Sequence, residues 1–253
     1  MPGLVEGKAG LVTGAAGGIG RATALALARE GAAGVLVTDL EARRENGLET
    51  VRLIEQEGGH AEFVAGDVSV DADCRAVVER TLEAFGHIDF AHNNAGVELQ
   101  DTVIGTAEAD FDRVIAVNLK GVWLGMKHQI PRMLENGGGA IVNTASLAGL
   151  IAVPSLAAYI ASKHGVVGLT RAAAVEHAND GVRVNCVCPA AIRTAMIEIL
   201  PPERQRELIA PQAMDRLGEP AEVAESVVWL MSDRSSFVTG IALSVDAGAT
   251  AGG

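Results

Sequence analysis

Residues 9–20 read Ala-Gly-Leu-Val-Thr-Gly-Ala-Ala-Gly-Gly-Ile-Gly, a short apolar run that leads into a glycine-rich loop. The run Ala9–Thr13 predicts a buried strand, and the apolar spacing over residues 18–30 predicts a helix directly after the loop. Glycines between a strand and a helix permit a tight turn and let the backbone approach a pyrophosphate, which then faces the helix N-terminus. The spacing is GxxxGxG rather than GxGxxG, so the loop alone fits a nucleotide site and an ordinary tight turn equally well.

The order of a strand followed by a helix repeats along the rest of the chain. Strands are predicted at residues 9–13, 35–38, 61–65, 88–92, 140–144, 182–188 and 241–245. Helices are predicted at residues 18–30, 43–57, 71–85, 108–134, 156–178 and 220–232. Helices that connect successive parallel strands cover both faces of a sheet. We therefore expect an α/β fold of the Rossmann type, in which a doubly wound, parallel, seven-stranded sheet carries helices on both faces.

The domain organisation is predicted to be simple. No linker, charge block or internal repeat divides the 253 residues, so we expect a single domain over residues 1–253. The segment 194–218 departs from the regular pattern, because it holds Pro201, Pro202 and Pro211 among mixed charged and apolar side chains. A long irregular segment in a compact domain is usually functional. This segment is therefore predicted to be a lid over a substrate site.

Composition and charge exclude several classes of protein. Hydrophobic residues make up 49% of the chain and aromatic residues only 3%, which indicates an aliphatic core suited to a buried parallel sheet. The net charge of −12 at pH 7 disfavours nucleic acid and anionic membranes as partners. The N-terminal residues lack a signal-peptide pattern, and no apolar run is long enough to span a bilayer. A cytoplasmic location is therefore expected.

The cysteines have neither the number nor the spacing of a disulfide framework or a zinc site, and no metal is predicted. The chain has three, at Cys74, Cys186 and Cys188. Cys186 and Cys188 are two residues apart in a predicted strand, so their side chains point to the same face. Both are expected to be small core residues.

Asp39 ends the second predicted strand, a short distance along the chain from the glycine loop. A carboxylate in this position accepts hydrogen bonds from the adenosine ribose hydroxyls and repels a 2′-phosphate. The next residue is Leu40, so no basic side chain follows directly. We therefore expect NAD rather than NADP as the cofactor. The alternative is that Asp39 only caps the following helix.

The reacting group is predicted from Tyr159, the only tyrosine of the chain, which lies one helical turn before Lys163. A phenol has a pKa of about 10, too high for a base at neutral pH, and a neighbouring ammonium group is expected to lower it. The pattern YxxxK is also common on solvated helices. Ser146 favours the catalytic interpretation, because it follows a strand at the sheet edge where ligands bind and can donate to a carbonyl oxygen.

Taken together, these motifs resemble those of the short-chain dehydrogenase/reductase (SDR) family, classical type, over nearly the whole chain. The matching stretches are TGxxxGIG at 13–20, Asp39, Asp67-Val68, NNAG at 93–96, Asn118, Ser146 and YxxxK at 159–163. One departure follows the sixth strand. Many family members have Pro-Gly there, whereas this chain has Pro189-Ala190-Ala191, which leaves the geometry of that loop open.

The resemblance implies a role for each site residue. Tyr159 would be the general acid/base, Lys163 would bind the nicotinamide ribose and lower the phenol pKa, and Ser146 would polarise the substrate oxygen. Asn118 would hold a water that links Lys163 to solvent; alternatively, it only satisfies backbone groups of its helix. The residues expected to contact NAD are Gly14, Gly18, Ile19, Gly20, Asp39, Asp67, Val68, Asn94, Ala95, Gly96, Tyr159, Lys163, Pro189, Ile192 and Thr194.

The expected function is hydride transfer between NAD and a secondary alcohol or ketone. The substrate pocket is predicted from Val97, Ser146, Leu147, Val153, Ala190 and the lid, which together favour a neutral, moderately apolar substrate. Arg193, Arg204 and Arg206 are the candidate cations, and the sequence does not fix their direction. Family members of this size commonly form homotetramers, so a homo-oligomer is expected.

Three alternatives stay open at this point. The first is an NADPH-dependent reductase of the 3-oxoacyl type with the same fold, against which Asp39 argues. The second is a non-catalytic nucleotide-sensing or scaffold protein, because a fold does not fix a function. The third is a lyase or dehalogenase variant that fills the nicotinamide site.

Overall fold

The computed structural model describes residues 2–251, apart from the side chain of Met196. Within them, seven parallel strands form one sheet in the order β3-β2-β1-β4-β5-β6-β7. The strands are β1 (Ala9–Thr13), β2 (Gly34–Asp39), β3 (Ala61–Ala65), β4 (Phe90–Asn93), β5 (Gly139–Thr144), β6 (Val182–Pro189) and β7 (Ala242–Val245). The expected α/β fold of the Rossmann type is confirmed.

Helices cover both faces of the sheet. Their bounds are α1 (Gly18–Arg29), α2 (Arg44–Gln56), α3 (Asp71–Phe85), α4 (Glu108–Ile115), α5 (Gly121–Glu135), α6 (Ala157–His177), α7 (Ala195–Glu198), α8 (Pro202–Ile209) and α9 (Pro220–Met231). Helices α1, α2 and α9 pack on one face, and α3, α5 and α6 pack on the other. Successive side chains of a strand point to opposite faces, so Val12 of β1 joins the first core and Leu11 joins the second.

The cysteines of β6 are core residues, as expected. Cys186 and Cys188 are fully buried in the second core, beside α6. Cys74 is buried on α3, and all three thiols are free. Each therefore fills space in an aliphatic interior rather than cross-linking the chain.

The strand order reverses between β1 and β4, and this reversal positions the site. The chain proceeds from β1 outward to β3, and then returns to place β4 on the other side of β1. Helices leave neighbouring strands in opposite directions at such a point, so a crevice opens at the carboxyl ends of the strands. The glycine loop after β1 and the residues after β4 face each other across this crevice.

Two predicted elements differ from those observed by more than a one-residue shift of an end. The strand predicted at 88–92 covers Phe90–Asn93, because its pairing with β1 and β5 begins only at Phe90, which lies opposite Gly10 and Ala140. The helix predicted at 108–134 is interrupted by one π-helical turn over Ala116–Lys120. Such a turn inserts an extra residue into a helix and often marks a functional site.

The segment predicted as a lid contains two short helices, α7 and α8, rather than irregular chain throughout. Its end is tied to the loop after β6, where the Arg193 amide donates to the Gly218 carbonyl at 2.8 Å and the Gly218 amide donates to the Ala191 carbonyl at 3.0 Å. Among the described residues, no helix has both the length and the apolar character that crossing a membrane requires.

Candidate active site

A cleft of about 620 Å³ runs along the carboxyl edge of the sheet. One end lies beside Asp39 and Leu40, the floor is the glycine loop and the strand ends, and the other end reaches Tyr159 and the first part of the lid segment. The cleft brings together most of the predicted site residues: Gly14, Gly18, Ile19, Asp39, Asp67, Val68, Asn94, Ala95, Gly96, Ser146, Tyr159, Lys163, Pro189, Ile192 and Thr194.

The glycine loop has the conformation that its sequence requires. Gly14 and Gly18 have φ angles of 65° and 53°, a region that favours glycine. A Cβ atom at Gly20 would lie 2.3 Å from the Gly14 carbonyl oxygen, so only glycine fits there. Helix α1 begins without a side-chain cap and without an acidic residue in its first turn. Its amide groups therefore point into the cleft as donors for an anionic group.

Asp39 lies at the end of β2 and supports the loop. Its Oδ2 accepts a hydrogen bond from the Ala16 amide at 3.0 Å, and its Oδ1 accepts one from the Leu40 amide at 2.8 Å. Sequence reasoning missed Arg43, which also lines the cleft: its Nη2 lies 3.6 Å from the position of a Cβ atom on Gly17. The end of the cleft beside Asp39 therefore holds the carboxylates of Asp39 and Asp67 and the guanidinium of Arg43.

Asn94 connects the ends of β1, β4 and β5. Its amide nitrogen Nδ2 donates to the Thr13 carbonyl at 3.0 Å and to the Gly14 carbonyl at 3.3 Å. Its Oδ1 accepts from the Thr144 hydroxyl at 3.2 Å. The Thr13 hydroxyl in turn accepts from the Asn94 and Ala95 amides. These bonds hold the NNAG segment against the glycine loop.

Asn118 lies in the π-helical turn and is fully buried. Its Oδ1 accepts from the Val97 amide and its Nδ2 donates to the Val97 carbonyl, both at 2.8 Å. Nδ2 also donates to the Ser162 hydroxyl at 3.1 Å. The side chain thus fixes the segment after NNAG against α6. Both donors of Nδ2 are therefore used within the protein, and the water that would link Asn118 to Lys163 stays a prediction.

Tyr159, Lys163 and Ser146 meet at the far end of the cleft. The first turns of α6 carry Tyr159 and Lys163 on one face, with the Lys163 Nζ 5.5 Å from the centroid of the Tyr159 ring. Nζ donates to the Thr144 carbonyl at 2.7 Å, at the end of β5. Ser146 follows the same strand, and its Oγ accepts from the Ala148 amide at 3.1 Å. Both Lys163 and Ser146 are buried.

The electrostatics of these groups differ from the sequence expectation. Burial raises the pKa of Tyr159 to about 12; the nearby Ser146 hydroxyl opposes the rise, and the carboxylate of Glu98 adds to it. Burial also lowers the pKa of Lys163 to about 8. The expected lowering of the phenol pKa is therefore not achieved by the protein's own groups. Desolvation of the phenolate outweighs the hydrogen bond from Ser146.

The loop after β6 accommodates its departure from the family pattern. Among the described residues, the non-glycine residues with positive φ are Ser155, Asp215 and Ala247, so Ala190 adopts an ordinary backbone conformation. The Ala190 amide donates to the Val245 carbonyl at 3.2 Å. Thr194 reaches across the cleft, because its Cγ2 lies 3.2 Å from the position of a Cβ atom on Gly18. The loop therefore closes over the start of α1 without strain.

A model of the family described as enoyl-(acyl carrier protein) reductase matches residues 14–250. A cyclohexanol dehydrogenase from Acinetobacter sp. (strain SE19) is 42% identical over 250 residues, which cover 97% of this chain and 96% of the relative. This chain belongs to the short-chain dehydrogenase/reductase (SDR) family. The resemblance stated from the motifs is confirmed.

Other relatives of this SDR are named for different reactions and substrates. A levodione reductase from Leifsonia aquatica is 41% identical over 95% of this chain and 93% of its own. A 3-oxoacyl-(acyl-carrier-protein) reductase from Thermotoga maritima is 38% identical over 96% of this chain and 98% of its own. A crystal structure described as a short-chain alcohol dehydrogenase from Sinorhizobium meliloti 1021 has a TM-score of 0.92 and 35% identity, with 97% of both chains covered.

SDR proteins bind a nicotinamide cofactor, and the cleft of this SDR fits one. The uncapped start of α1 suits a pyrophosphate, and the close approach at Gly20 leaves no room for a side chain between the loop and Asn94. The residues present therefore match the demands of a dinucleotide along the length of the cleft.

Three residues in or beneath the cleft of this SDR were not identified from the sequence. Glu98 and Arg43 line the cleft, and His92 lies buried beneath it. Only their position relative to the family motifs could have drawn attention to them: Glu98 is two residues after NNAG, His92 is one residue before it, and Arg43 is four residues after Asp39.

Proposed function

We propose that this SDR transfers a hydride between NAD and a secondary alcohol or ketone, with Tyr159 as the general acid/base. The observation that carries the proposal is the convergence of Tyr159, Lys163 and Ser146 on one end of a cleft whose other end is the glycine loop and Asp39. When bound, the cofactor supplies or accepts the hydride. The protein has to bind the substrate oxygen, orient it and exchange its proton.

Tyr159 performs the proton exchange in this proposal. In the direction of ketone reduction, the phenol donates its proton to the substrate oxygen as negative charge develops there, and Ser146 stabilises that charge. In the direction of oxidation, the phenolate takes the proton from the alcohol. Burial raises the phenol pKa to about 12, so Tyr159 rests in the protonated form at neutral pH and is ready to donate in the direction of reduction.

Lys163 positions the reacting end of the cleft. Its Nζ holds the Thr144 carbonyl at 2.7 Å, so α6 is tied to the strand from which Ser146 follows. The same nitrogen lies 3.5 Å from the position of a Cβ atom on Gly96, which places it beside the segment proposed to line the cofactor. We propose that Lys163 binds the nicotinamide ribose and that Asn118 acts by holding the Val97 segment in place.

Asp39 supports NAD as the cofactor. Its carboxylate is at the end of β2, where the adenosine ribose would lie, and a 2′-phosphate there would meet like charge. The 38% identical 3-oxoacyl-(acyl-carrier-protein) reductase and the guanidinium of Arg43 favour the alternative, an NADPH-dependent reductase of the 3-oxoacyl type. Comparison of kcat/KM for NADH and NADPH with the same ketone distinguishes the two.

The decisive experiment uses Tyr159→Phe, which removes one oxygen atom and keeps the ring. Turnover of cyclohexanol with NAD should fall at least about a hundredfold, while binding of NADH, measured by its fluorescence, persists. Leu48→Ala, at an exposed position of α2 outside the cleft, is a control that should keep full turnover. Substantial activity in Tyr159→Phe would refute the role of the phenol. Bound NADH with no turnover of any alcohol or ketone by the unmodified enzyme would favour a nucleotide-sensing protein.

Assembly as a homotetramer is a further part of the proposal. Large aromatic side chains are exposed outside the cleft: Phe111 on α4, Trp123 on α5, Trp229 on α9 and Phe237 between α9 and β7. Exposed apolar surfaces of this kind mark contacts between proteins. A mass of four chains in light scattering would support the tetramer. The buried free thiols agree with a cytoplasmic enzyme.

A further inference from the structure

Glu98 lies at the substrate end of the cleft and is held there from both sides. The preceding residue, Val97, is bound by the Asn118 side chain through two hydrogen bonds of 2.8 Å. Three residues later, Asp101 pairs with Leu156 in an isolated bridge of parallel strand type. Leu156 directly precedes α6, the helix that carries Tyr159. The position of the Glu98 backbone relative to the reacting phenol is therefore fixed by the fold.

The carboxyl group of Glu98 has no partner within the protein among the hydrogen bonds and ion pairs of the described residues. It lines the same cleft as Tyr159 and Ser146, and the cleft walls around it include Val97, Val153 and Leu156. These walls partly desolvate the carboxyl group and raise its pKa, although the residue keeps an exposed side. The negative charge also reaches the phenol, whose pKa it helps to raise. A carboxylate in this setting favours a ligand that donates a hydrogen bond.

The nearby cations do not offset this charge. Among the described residues that line the cleft, none is a candidate cation of the lid (Arg193, Arg204 or Arg206), and two of these form ion pairs elsewhere: Arg193 with Glu219 at 2.8 Å, and Arg204 with Glu207. Lys163 is buried and donates to the Thr144 carbonyl. The substrate end of the cleft therefore presents an apolar wall with one negatively charged hydrogen-bond acceptor, the Glu98 carboxylate.

We propose that Glu98 is a specificity-determining residue that accepts a hydrogen bond from a second hydroxyl group of the substrate. The substrate class is then an apolar diol or hydroxyketone. Substrates with a carboxylate or phosphate close to the reacting carbon are disfavoured, because like charges repel across the narrow cleft. This inference rests on the proposed function and specifies its substrate.

The experiment compares three matched alcohols: cyclohexanol, the isomeric cyclohexanediols, and 3-hydroxycyclohexanecarboxylate. The readout is the ratio of kcat/KM between two alcohols for the same enzyme, which cancels general losses of activity. Glu98→Leu removes both charge and acceptor, whereas Glu98→Gln removes the charge and keeps an oxygen acceptor. Glu108→Gln, on the exposed start of α4 outside the cleft, is the matched control.

In the unmodified enzyme, at least one diol should have a higher kcat/KM than cyclohexanol. Glu98→Leu should lower that ratio about tenfold or more, as expected for loss of a hydrogen bond to a charged group. Glu98→Gln should retain part of the diol preference and should raise the ratio of the carboxylate to cyclohexanol. Glu108→Gln should leave both ratios as they are. Diol ratios that are the same in Glu98→Leu and the unmodified enzyme would overturn the inference.

Failure of the proposed function gives a different result. If the unmodified enzyme oxidises none of these alcohols, calorimetric titration of the diols into the enzyme with NAD tests Glu98 without turnover. Diol binding that Glu98→Leu weakens about tenfold or more supports the inference. Diol binding that is equal in both proteins, or lacking in both, overturns it.

Discussion

The Nε2 atom of His92 lies 2.8 Å from the Oγ1 atom of Thr144, in the layer directly beneath the cleft. The Thr144 hydroxyl donates to Asn94 Oδ1, so it accepts its other hydrogen bond from His92. The imidazole is therefore neutral with its proton on Nε2, and Nδ1 has no partner among the described residues. Burial lowers the pKa of His92 to about 3. A neutral histidine thus supports the asparagine that holds the glycine loop.

This arrangement predicts how stability depends on pH. The unfolded chain protonates His92 near its ordinary pKa of about 6.5, whereas the folded chain does so only near 3. Between these values the unfolded state binds more protons, so the free energy of unfolding decreases as pH falls through this window. In His92→Leu that decrease should be smaller, while stability at pH 7 should drop by about 1–3 kcal/mol because Thr144 loses its donor.

Urea unfolding between pH 4 and 7 measures both effects. His164→Gln, which changes an exposed histidine on α6, should follow the pH dependence of the unmodified protein. An equal slope for His92→Leu and the unmodified protein would contradict the neutral, buried state of His92.

The pH dependence of alcohol oxidation should respond to Ser146. The Ser146 hydroxyl lowers the pKa of Tyr159, so Ser146→Ala should move the rise of kcat/KM with pH to higher pH. Loss of the donor to the developing charge should also reduce kcat about a hundredfold. Glu98 raises the same pKa, so Glu98→Gln should move the rise in the opposite direction. Shifts of the same sign in both variants would contradict this electrostatic arrangement, and Ser226→Ala on α9 provides the control.

The glycine loop should tolerate a methyl group at one position and not at another. A Cβ atom at Gly20 would lie 2.3 Å from the Gly14 carbonyl oxygen, whereas one at Gly17 would lie 3.6 Å from the flexible end of Arg43. Gly20→Ala should therefore lower the free energy of unfolding by about 1–3 kcal/mol and weaken NADH binding. Gly17→Ala should change both much less. Thermal unfolding measures the stability of both variants, and fluorescence titration measures their affinity for NADH. Equal losses in Gly20→Ala and Gly17→Ala would show that the contact at Gly20 does not shape the loop.

Cofactor choice should depend on the balance between Asp39 and Arg43. Removing the carboxylate in Asp39→Ala should raise the NADP-to-NAD ratio of kcat/KM about tenfold or more, because like-charge repulsion is lost. If Arg43 then supplies the charge for a 2′-phosphate, a second change, Arg43→Ala, should reverse most of that gain. Arg44, which pairs with Glu41, is the neighbouring control: Asp39→Ala with Arg44→Ala should keep the gain. An unchanged ratio in Asp39→Ala would remove the selectivity role of Asp39.

The strands and the main motifs could be predicted because their signals are local. Apolar runs of a few residues between glycines and polar helices predict β1 through β7. The glycine loop, Asp39, NNAG and Ser146 lie at strand ends because ligands bind at the carboxyl edge of such a sheet. The bounds moved where pairing with a neighbouring strand, which the sequence does not show, begins later than the apolar run. β4 is an example, since it begins at Phe90, the first of its residues that pairs with both β1 and β5.

The π-helical turn and the electrostatics of the site were not predictable in this way. An asparagine in an amphipathic pattern resembles any polar helix residue, and only the fold shows that Asn118 binds Val97 and Ser162. Likewise, the spacing of Tyr159 and Lys163 indicates attraction but not how deeply the phenol is desolvated. Glu98 influences the same phenol across the cleft, and this relationship exists only in three dimensions.

The three buried thiols can be used to measure local opening of the fold. Cys186 and Cys188 are sealed between the sheet and α6, and burial raises the pKa of Cys74 to about 11, so an alkylating reagent cannot attack them in the closed fold. The rate at which iodoacetamide labels each cysteine therefore reports how often that part of the interior opens. Any small molecule that fills the cleft should slow this labelling, so that ligands can be ranked by mass spectrometry before a single substrate has been turned over.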